Sequence, residues 1–350
     1  MPVSVPLGSP GLAGLEWTDA GLEESIRSGL DQVEVMLRES VLGEHEFITE
    51  ASRHLVDAGG KRFRPLLALL AAEFGEPSAR GVVESAVVVE LTHLATLYHD
   101  DVMDEAALRR GAASANSRWG NTVAILTGDY LFARASEIIA DLGPEAVRIQ
   151  ARTFGRLVSG QIRETVGAPP DADPIDHYLQ VLDEKTGSLI ATSALFGGMF
   201  AGVPAPVVEV LREYGDVIGI AFQLSDDLLD IASPGSESGK TPGTDLREGI
   251  RTLPVLLALR SAGAAAEDPA SAAGGSATSA RLAALLAGPV SEEDLPEALA
   301  LLRGSPAMAE ARAVLESYAE RARTLLRSLP DVPARSALES LADFMLARTA

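Results

Sequence analysis

The sequence predicts an all-α protein, and three observations lead to this conclusion. Apolar residues make up 47% of the 350 residues, enough for a large core, and recur at helical spacing in most segments. No stretch shows the strict alternation of apolar and polar residues that is typical of a strand. No glycine-rich nucleotide-binding loop follows a strand-like segment. We therefore expect a helical bundle with its functional site between the helices.

The predicted elements follow from these patterns in chain order. Residues 1–18, rich in Pro, Gly and Ser, are expected to form a disordered leader before a single domain at 19–350. Helices are expected at 19–42, 45–58, 66–73, 81–105, 122–141, 144–166, 174–184, 187–202, 204–230, 253–259, 291–302, 307–329 and 332–348. Residues 233–249 suggest a mobile loop in which Lys240 and Asp245 could close over a site, or an ordinary flexible connection with solvated charges. The Ala/Gly/Ser stretch at about 261–279 suggests a disordered insertion.

Composition narrows the classes of function. Cysteine is absent, which excludes a disulfide framework, a thiolate metal site and a cysteine nucleophile. The net charge of -21 argues against nucleic acid as the main partner, and it means that an anionic substrate needs local neutralisation. No apolar run reaches transmembrane length without a charge, and the first twenty residues lack a basic start followed by an apolar stretch. We therefore expect a cytoplasmic protein.

The first acidic cluster ends the long apolar run at 81–97. Asp100 and Asp104 are four residues apart and share one helix face, with Asp101 on its shoulder. Three carboxylates so close repel each other, and a hard divalent cation such as Mg2+ would resolve that conflict. A solvated acidic helix end is the alternative interpretation.

A second cluster repeats this design after the apolar run at 217–222. Asp226, Asp227 and Asp230 again stand at the end of an apolar helix. Two such clusters suggest carboxylates that face each other across a central cavity. They would hold several metal ions and, through them, a polyanion such as a diphosphate.

Basic and polar residues accompany the clusters. The run Gly59-Gly60-Lys61-Arg62-Phe63-Arg64-Pro65 could present helix amides and three cations to an anion, but taken alone it is better interpreted as a basic turn between helices. His93 lies two turns before Asp100 on roughly the same face, which favours a ligand role over that of an ordinary core residue. Arg109 and Arg110 either pair with the carboxylates or reach the same polyanion.

Three motifs in this order resemble those of the trans-prenyltransferases of the polyprenyl diphosphate synthase family. Asp100-Asp101-x-x-Asp104-x-x-x-x-Arg109-Arg110-Gly111 is similar to the first aspartate-rich motif of that family. Gly219-x-x-Phe222-Gln223-Leu224-x-Asp226-Asp227-x-x-Asp230 is similar to the second, and the run from Gly59 to Pro65 is similar to the basic motif. The resemblance covers the chain from about Gly59 to its C-terminus. It implies the all-helical isoprenoid synthase bundle, usually a homodimer.

The resemblance also implies a role for each motif residue. Mg2+ would be bound, directly or through water, by Asp100, Asp101, Asp104, Asp226, Asp227 and Asp230. The allylic diphosphate would be contacted by Arg109, Lys185, Gln223 and Lys240. Isopentenyl diphosphate would be bound by Lys61, Arg64, His93 and Arg110. Thr186 matches a position that steadies the allylic cation. Many relatives carry Lys after Gly249, where this chain has Ile250 and then Arg251, so that position stays open.

The implied reaction agrees with the interpretation from the residues. The allylic carbon–oxygen bond ionises, the double bond of isopentenyl diphosphate attacks, and the released diphosphate takes the proton. Metal ions would act as Lewis acids on the leaving diphosphate. The absence of any obvious Ser-His-Asp or Cys-His arrangement is consistent with this chemistry.

The helix that precedes Asp100 is expected to form the wall of the product pocket. From Val83 to Asp100 this helix is about 25 Å long at the α-helical rise per residue. In the family, bulky residues four or five positions before the first aspartate close this pocket. Thr96 and Ala95 stand there and are small. We expect an all-trans product of roughly thirty-five to fifty carbons, for a quinone side chain, with Tyr98 as a constriction if it points inward (a range taken from the family resemblance).

Three other functions fit the motifs less well. A shorter-chain synthase, making geranylgeranyl or farnesyl diphosphate, is the nearest alternative, and the small Ala95 and Thr96 argue against it. A noncatalytic subunit of a heteromeric synthase would typically lack the aspartates, all six of which are present here. A terpene cyclase would replace the second cluster with another type of metal motif.

Overall fold

The structure is a computed structural model, and it describes residue 17 and residues 19–232, 242–267 and 276–349. Helices dominate these ranges, so the predicted all-α class is confirmed. The longer helices are α1 (Ala20–Ser40), α2 (Glu46–Asp57), α3 (Phe63–Ala72), α4 (Val82–Met103), α6 (Asn121–Asp141), α7 (Pro144–Val166), α8 (Pro174–Leu182), α9 (Ser188–Phe200), α10 (Ala205–Ala232), α12 (Leu253–Glu267), α13 (Ser276–Leu285), α14 (Leu295–Arg303), α15 (Pro306–Leu326) and α16 (Pro333–Ala347).

Four smaller elements depart from the prediction. A two-stranded hairpin pairs β1 (Leu108–Arg109) with β2 (Ala112–Ala113), although no strand was expected. Short helices α5 (Ala115–Trp119) and α11 (Thr244–Glu248) stand where loops were expected, and a π-helical turn, Asp183–Gly187, follows α8. These elements are too short to carry a hydrophobic period, so the sequence pattern could not reveal them.

Three predicted segments are described by the structure only in part. The disordered insertion at about 261–279 is wrong where the structure describes it, because α12 runs to Glu267 and α13 begins at Ser276. Residues 268–275, nearly all of the predicted leader and residues 233–241 lie outside the described residues.

The chain divides into two compact units, each described here by itself. Unit 1 comprises Met1–Leu157, Ser188–Asp216 and Leu325–Leu341. Unit 2 comprises Val158–Gly187, Val217–Thr324 and Ala342–Ala350. The single domain expected at 19–350 stays a prediction.

Helix α4 is the core of unit 1. It packs against α1, α3, α5, α6 and α9, and its residues are apolar almost all around the axis, as expected of a helix surrounded by others. Helices α3 and α9 approach closely at Gly197, where a Cβ would lie 1.9 Å from the carbonyl oxygen of Ala68. The buried Gly197 therefore allows backbone contact that any side chain would prevent.

Unit 2 is built around α12, which packs against α8, α13 and α14. The C-terminal half of α10 belongs to this unit and is tied to the end of α16, because Ser225 Oγ donates to the Met345 carbonyl oxygen at 3.0 Å. Among the helices described in either unit, none is long and apolar enough to cross a membrane.

Candidate active site

The first aspartate cluster lies at the C-terminal end of α4, in unit 1. Asp101 is fully buried, Asp100 is half-buried, and Asp104 is an exposed residue at the helix C-cap. Arg109 Nε donates to Asp101 Oδ1 at 2.5 Å, and Arg109 Nη2 lies 3.9 Å from Asp104 Oδ2. Burial raises the pKa of the Asp101 carboxyl, and the Arg109 guanidinium opposes that shift.

The other carboxylate oxygen of Asp101, Oδ2, is buried and has no hydrogen-bond partner within the described ranges. A buried carboxylate oxygen without a partner costs free energy, so folded proteins usually supply one. Mg2+ takes oxygen ligands and often binds one or two carboxylates together with substrate phosphates. The donor set at the end of α4 therefore fits the metal ion that the sequence predicts.

The hairpin β1–β2 directs the two arginines of the first motif to different places. Its two-residue loop is Arg110-Gly111, with φ of 53° and 79°, the signs that a type I′ turn requires. Arg109 reaches the acidic cluster, whereas Arg110 Nη1 donates to the carbonyl oxygens of Leu55, at 3.0 Å, and Gly59. The hairpin thus links the acidic cluster to the basic turn before α3.

A buried ion-pair network holds that basic turn. Arg62 has left-handed backbone, with φ of 49°, which costs a non-glycine residue free energy. Its guanidinium pairs with Glu34, donates to Glu90 Oε1 at 2.9 Å, and donates to the Val56 carbonyl oxygen at 3.1 Å. Arg62 is thus a structural residue, and the interpretation that all three cations of the turn reach an anion does not hold for it. Lys61 is exposed.

Arg64, His93 and Arg110 lie close enough to influence each other's charge. Burial, with Arg64 and Arg110 nearby, lowers the pKa of His93 well below its ordinary value, so this imidazole is neutral. Burial also lowers the pKa of Arg64 to about 10; Glu90 opposes that shift and Arg110 adds to it. Arg64 Nε is buried without a hydrogen-bond partner among the residues that the structure describes. This crowding of cations, with an unsatisfied donor, fits an anionic ligand.

The second cluster belongs to unit 2, where Asp227 is buried. Tyr178 donates its hydroxyl hydrogen to Asp227 Oδ2, and Gln223 Nε2 donates to Oδ1 at 3.0 Å. Burial raises the pKa of Asp227 to about 7, although both hydrogen bonds oppose the shift. Gln223, expected at the allylic diphosphate, thus contacts an aspartate of its own motif in this structure.

The other two aspartates of this cluster have different partners. Asp226 Oδ1 accepts a hydrogen bond from Arg348 Nη2, at the C-terminal end of the chain. Asp230 accepts the backbone N–H groups of Thr244 and Asp245, both at 3.2 Å, at the start of α11. Asp230 therefore also anchors the N-terminal end of α11.

The predicted diphosphate contacts of unit 2 are only partly described. Lys185 and Thr186 are half-buried in the π-helical turn, and turns of this type are frequent at functional sites. Lys185 Nζ lies 2.5 Å from Glu164 Oε2. Arg251 donates to the Ala287 carbonyl oxygen at 3.4 Å. Lys240 lies outside the described residues.

The two clusters lie in different units, and their arrangement across a cavity stays a prediction. Within the described ranges, no group of three or more His, Asp or Glu side chains is arranged to hold a metal ion. An arginine side chain binds a carboxylate oxygen of Asp101 in the first cluster. In the second cluster an arginine binds Asp226, and a tyrosine and a glutamine bind Asp227.

The helix expected to measure product length presents small residues near the first cluster. Ala95 is buried and its carbonyl oxygen lies against Gly128 of α6, whereas Thr96 is half-buried. Tyr98 is fully buried; its hydroxyl donates to the Ala51 carbonyl oxygen at 2.5 Å and accepts the Leu55 N–H at 3.2 Å. Tyr98 is thus tied to α2, which leaves it no role as an inward constriction.

Three residues near the motifs were missed by the sequence analysis. Tyr178 and Arg348 contact aspartates that are 49 and 122 residues away in sequence. Nothing local marked either residue. Glu90 did carry a signal, because it is a single acid within an otherwise apolar stretch of α4, three residues before His93.

Comparisons with known proteins agree with these observations. The family model of polyprenyl synthetases matches residues 45–288. Nonaprenyl diphosphate synthase from Mycobacterium tuberculosis is 50% identical over 339 residues, which cover 96% of this chain and 97% of that protein. The structure is similar to geranylgeranyl pyrophosphate synthase from Corynebacterium glutamicum complexed with calcium and isoprenyl diphosphate, with a TM-score of 0.83, 45% identity, and coverage of 96% and 99% of the two chains. A decaprenyl diphosphate synthase from Rhodobacter capsulatus gives a TM-score of 0.82 and 35% identity, with coverage of 94% and 99%.

Proposed function

This chain belongs to the polyprenyl synthetase family, and on that premise we propose that it condenses isopentenyl diphosphate with an allylic diphosphate to make a long all-trans polyprenyl diphosphate. Its fold is the all-α isoprenoid synthase bundle of that family. One observation supports the proposed chemistry most directly. The buried Asp101 carboxylate, next to Arg109 at the end of an apolar helix, keeps an oxygen without a partner in the described part of the chain.

The six aspartates are the proposed Mg2+ ligands. When bound, the metal would supply Lewis-acid charge withdrawal from the leaving allylic diphosphate. The residues proposed to hold it are Asp100, Asp101, Asp104, Asp226, Asp227 and Asp230. Arg109 orients Asp101 through its Nε, and we assign its remaining N–H groups to the allylic diphosphate. Lys185, Gln223 and Lys240 are the further proposed contacts to that diphosphate, and Thr186 is placed at the allylic cation.

The basic residues of unit 1 are the proposed site for isopentenyl diphosphate. Arg110 is held by two backbone carbonyl oxygens, and Arg64 keeps a buried donor without a partner in the described part of unit 1. The neutral His93 can donate a hydrogen bond without adding a charge, and the exposed Lys61 completes the set. These residues fix the second substrate while the allylic carbon–oxygen bond breaks and the new carbon–carbon bond forms. The proton lost in this step passes to the released diphosphate.

We propose a product of roughly thirty-five to fifty carbons, used as a quinone side chain (the range is a family inference). Two observations support the length: Ala95 and Thr96 are small, and the Mycobacterium tuberculosis relative, named a nonaprenyl diphosphate synthase, is 50% identical. A geranylgeranyl-length product is the competing proposal, because the Corynebacterium glutamicum geranylgeranyl pyrophosphate synthase is 45% identical.

We also propose that the enzyme is a homodimer. Ile125 and Leu126 on α6 expose large apolar side chains, and Leu126 is 61% exposed. Neighbouring exposed apolar residues are typical of a surface that binds another protein. Sedimentation of the purified protein tests this assignment. A cytoplasmic location stays the prediction made from the sequence.

The experiment that tests the proposed function is product analysis. Purified protein is incubated with Mg2+, labelled isopentenyl diphosphate and farnesyl diphosphate, and the product chain length is measured. A long all-trans product is the expected result. A geranylgeranyl-length product would leave the reaction in place and overturn the proposed pocket. No product from any allylic starter would instead favour a noncatalytic subunit.

A further inference from the structure

The C-terminal end of α16 docks onto the aspartate-bearing half of α10, within unit 2. Ser225 Oγ donates to the Met345 carbonyl oxygen at 3.0 Å. Arg312 Nη2 of α15 donates to the Thr349 carbonyl oxygen at 2.5 Å. These two bonds fix the last turn of the chain next to the second aspartate cluster, and they place the Arg348 side chain beside Asp226.

The Arg348 guanidinium is held on three sides. Its Nη2 donates to Asp226 Oδ1, and its Cζ lies 5.6 Å from the centre of the Phe222 ring and 5.5 Å from that of the Phe344 ring. A cation over an aromatic face is attracted by the ring, and guanidinium stacks there better than ammonium does. The Arg348 side chain is only 15% exposed. The pair is thus more confined than an ordinary surface ion pair.

We propose that Arg348 is an internal counter-ion for the second aspartate cluster. It is a positioning residue whose guanidinium binds the Asp226 carboxylate before metal binds and must release that carboxylate when metal binds. This inference rests on the proposed function, in which Asp226 is a metal ligand. The Asp226 oxygen engaged with the guanidinium is the kind of ligand that Mg2+ requires. Two cations that need the same oxygen compete for it, and they also repel each other at short range.

This assignment differs from the role of Arg109 in the first cluster. Arg109 belongs to the first aspartate-rich motif and is a proposed substrate contact. Arg348 follows the last helix and belongs to none of the three motifs. Its proposed effect is therefore on metal affinity, with no contact to substrate, and can be measured on the protein without substrate.

The test is Mn2+ binding to the full chain in the absence of substrate, measured by electron paramagnetic resonance of the free ion. Arg348→Gln should bind Mn2+ about fivefold to tenfold more tightly than wild type, since the competing cation is gone. Arg281→Gln is the charge-matched control, because it removes a cation from an exposed pair with Glu297, between α13 and α14 of the same unit, and leaves the docking of the chain end in place. Its affinity should stay within about twofold of wild type.

Asp226→Asn separates the inference from the proposed function. If Asp226→Asn weakens Mn2+ binding while Arg348→Gln leaves it unchanged or weaker, the counter-ion role is wrong and the metal role of Asp226 stands. If Asp226→Asn binds Mn2+ as wild type does, the metal role of Asp226 is wrong, and with it the inference. In a protein that carries both Asp226→Asn and Arg348→Gln, the Mn2+ affinity should equal that of Asp226→Asn alone, because the carboxylate for which Arg348 and the metal compete is absent.

Arg348→Lys covers the case in which Arg348→Gln fails to fold. Lysine keeps the charge, but its ammonium cannot form the planar fork or stack on the two rings as guanidinium does. We expect binding about twofold to threefold tighter than wild type. Affinity weaker than that of wild type in a folded Arg348→Lys protein would overturn the proposal, since a looser counter-ion cannot compete more strongly with the metal.

Discussion

The substitution Glu90→Gln tests the ion-pair network beneath the basic turn. Glu90 is 1% exposed and its Oε1 accepts from Arg62 Nη1 at 2.9 Å. Glutamine keeps the size of the side chain and removes its charge, so among the described residues Arg62 retains only Glu34 as a partner of opposite charge. Removing one member of a buried ion pair costs about 3–5 kcal/mol of stability. Because Glu34 still neutralises part of the charge, we expect a loss near the lower end, about 3 kcal/mol.

The assay is urea unfolding followed by tryptophan fluorescence. The chain has two tryptophans, Trp17 and Trp119, and both belong to unit 1, so their emission reports the unit that contains the network. The matched control is Glu34→Gln, at a side chain that is 23% exposed and therefore screened by water. It should cost about 1 kcal/mol or less. The reasoning is refuted if Glu90→Gln costs no more than the control does.

Three further predictions concern the site. Asp101→Ala should lower Mg2+-dependent condensation more than about a hundredfold while circular dichroism stays unchanged; near-normal turnover by the folded variant would remove the metal assignment. Thr96→Phe should shorten the product seen by chromatography; Ala95→Phe should do the same, at an overpacking cost of about 1–3 kcal/mol because Ala95 is buried. An unchanged product from both variants would exclude this helix as the ruler. The pKa of His93 in the folded protein lies well below 6.5, the ordinary value expected in the unfolded chain. As the pH falls below 6.5, only the unfolded chain therefore takes up the proton, and the free energy of unfolding decreases by up to about 1.4 kcal/mol per pH unit. His93→Gln should flatten this fall in unit 1 unfolding; parallel pH profiles would contradict the burial of a neutral imidazole.

Most of the long helices could be predicted because each carries its own repeating pattern, although α12 runs beyond its expected end and α13 was not expected. Helix α7 was expected at 144–166 and spans Pro144–Val166, since Pro144 suits a helix start and Gly167, with φ of 81°, suits its end. The hairpin could not be found this way. In its loop Arg110 has a φ of 53°, a backbone conformation in which Asn, Asp or Gly is the usual residue. The residue type at this position therefore did not predict a turn.

The candidate site was predictable where its residues are close in sequence. The two aspartate-rich motifs and the basic motif are each contiguous, so the spacing of their residues, together with the family resemblance that it carries, predicted the chemistry. The partners of these residues were not predictable. Arg348 and Asp226 are 122 residues apart, and Tyr178 and Asp227 are 49 apart. Spacing along one helix gives no information on which distant side chain packs beside it.

The sequence by itself determined the helical class and the approximate limits of most long helices, because periodicity acts over a few turns, and it indicated the kinds of side chain proposed to carry the chemistry. Only the tertiary structure decided which protein groups those side chains contact. It tied Arg62 to Glu34 and Glu90, and it turned Tyr98 toward α2. The physical reason is burial: a buried charge or hydroxyl must find a partner, and the packing of distant helices determines which partner lies within reach.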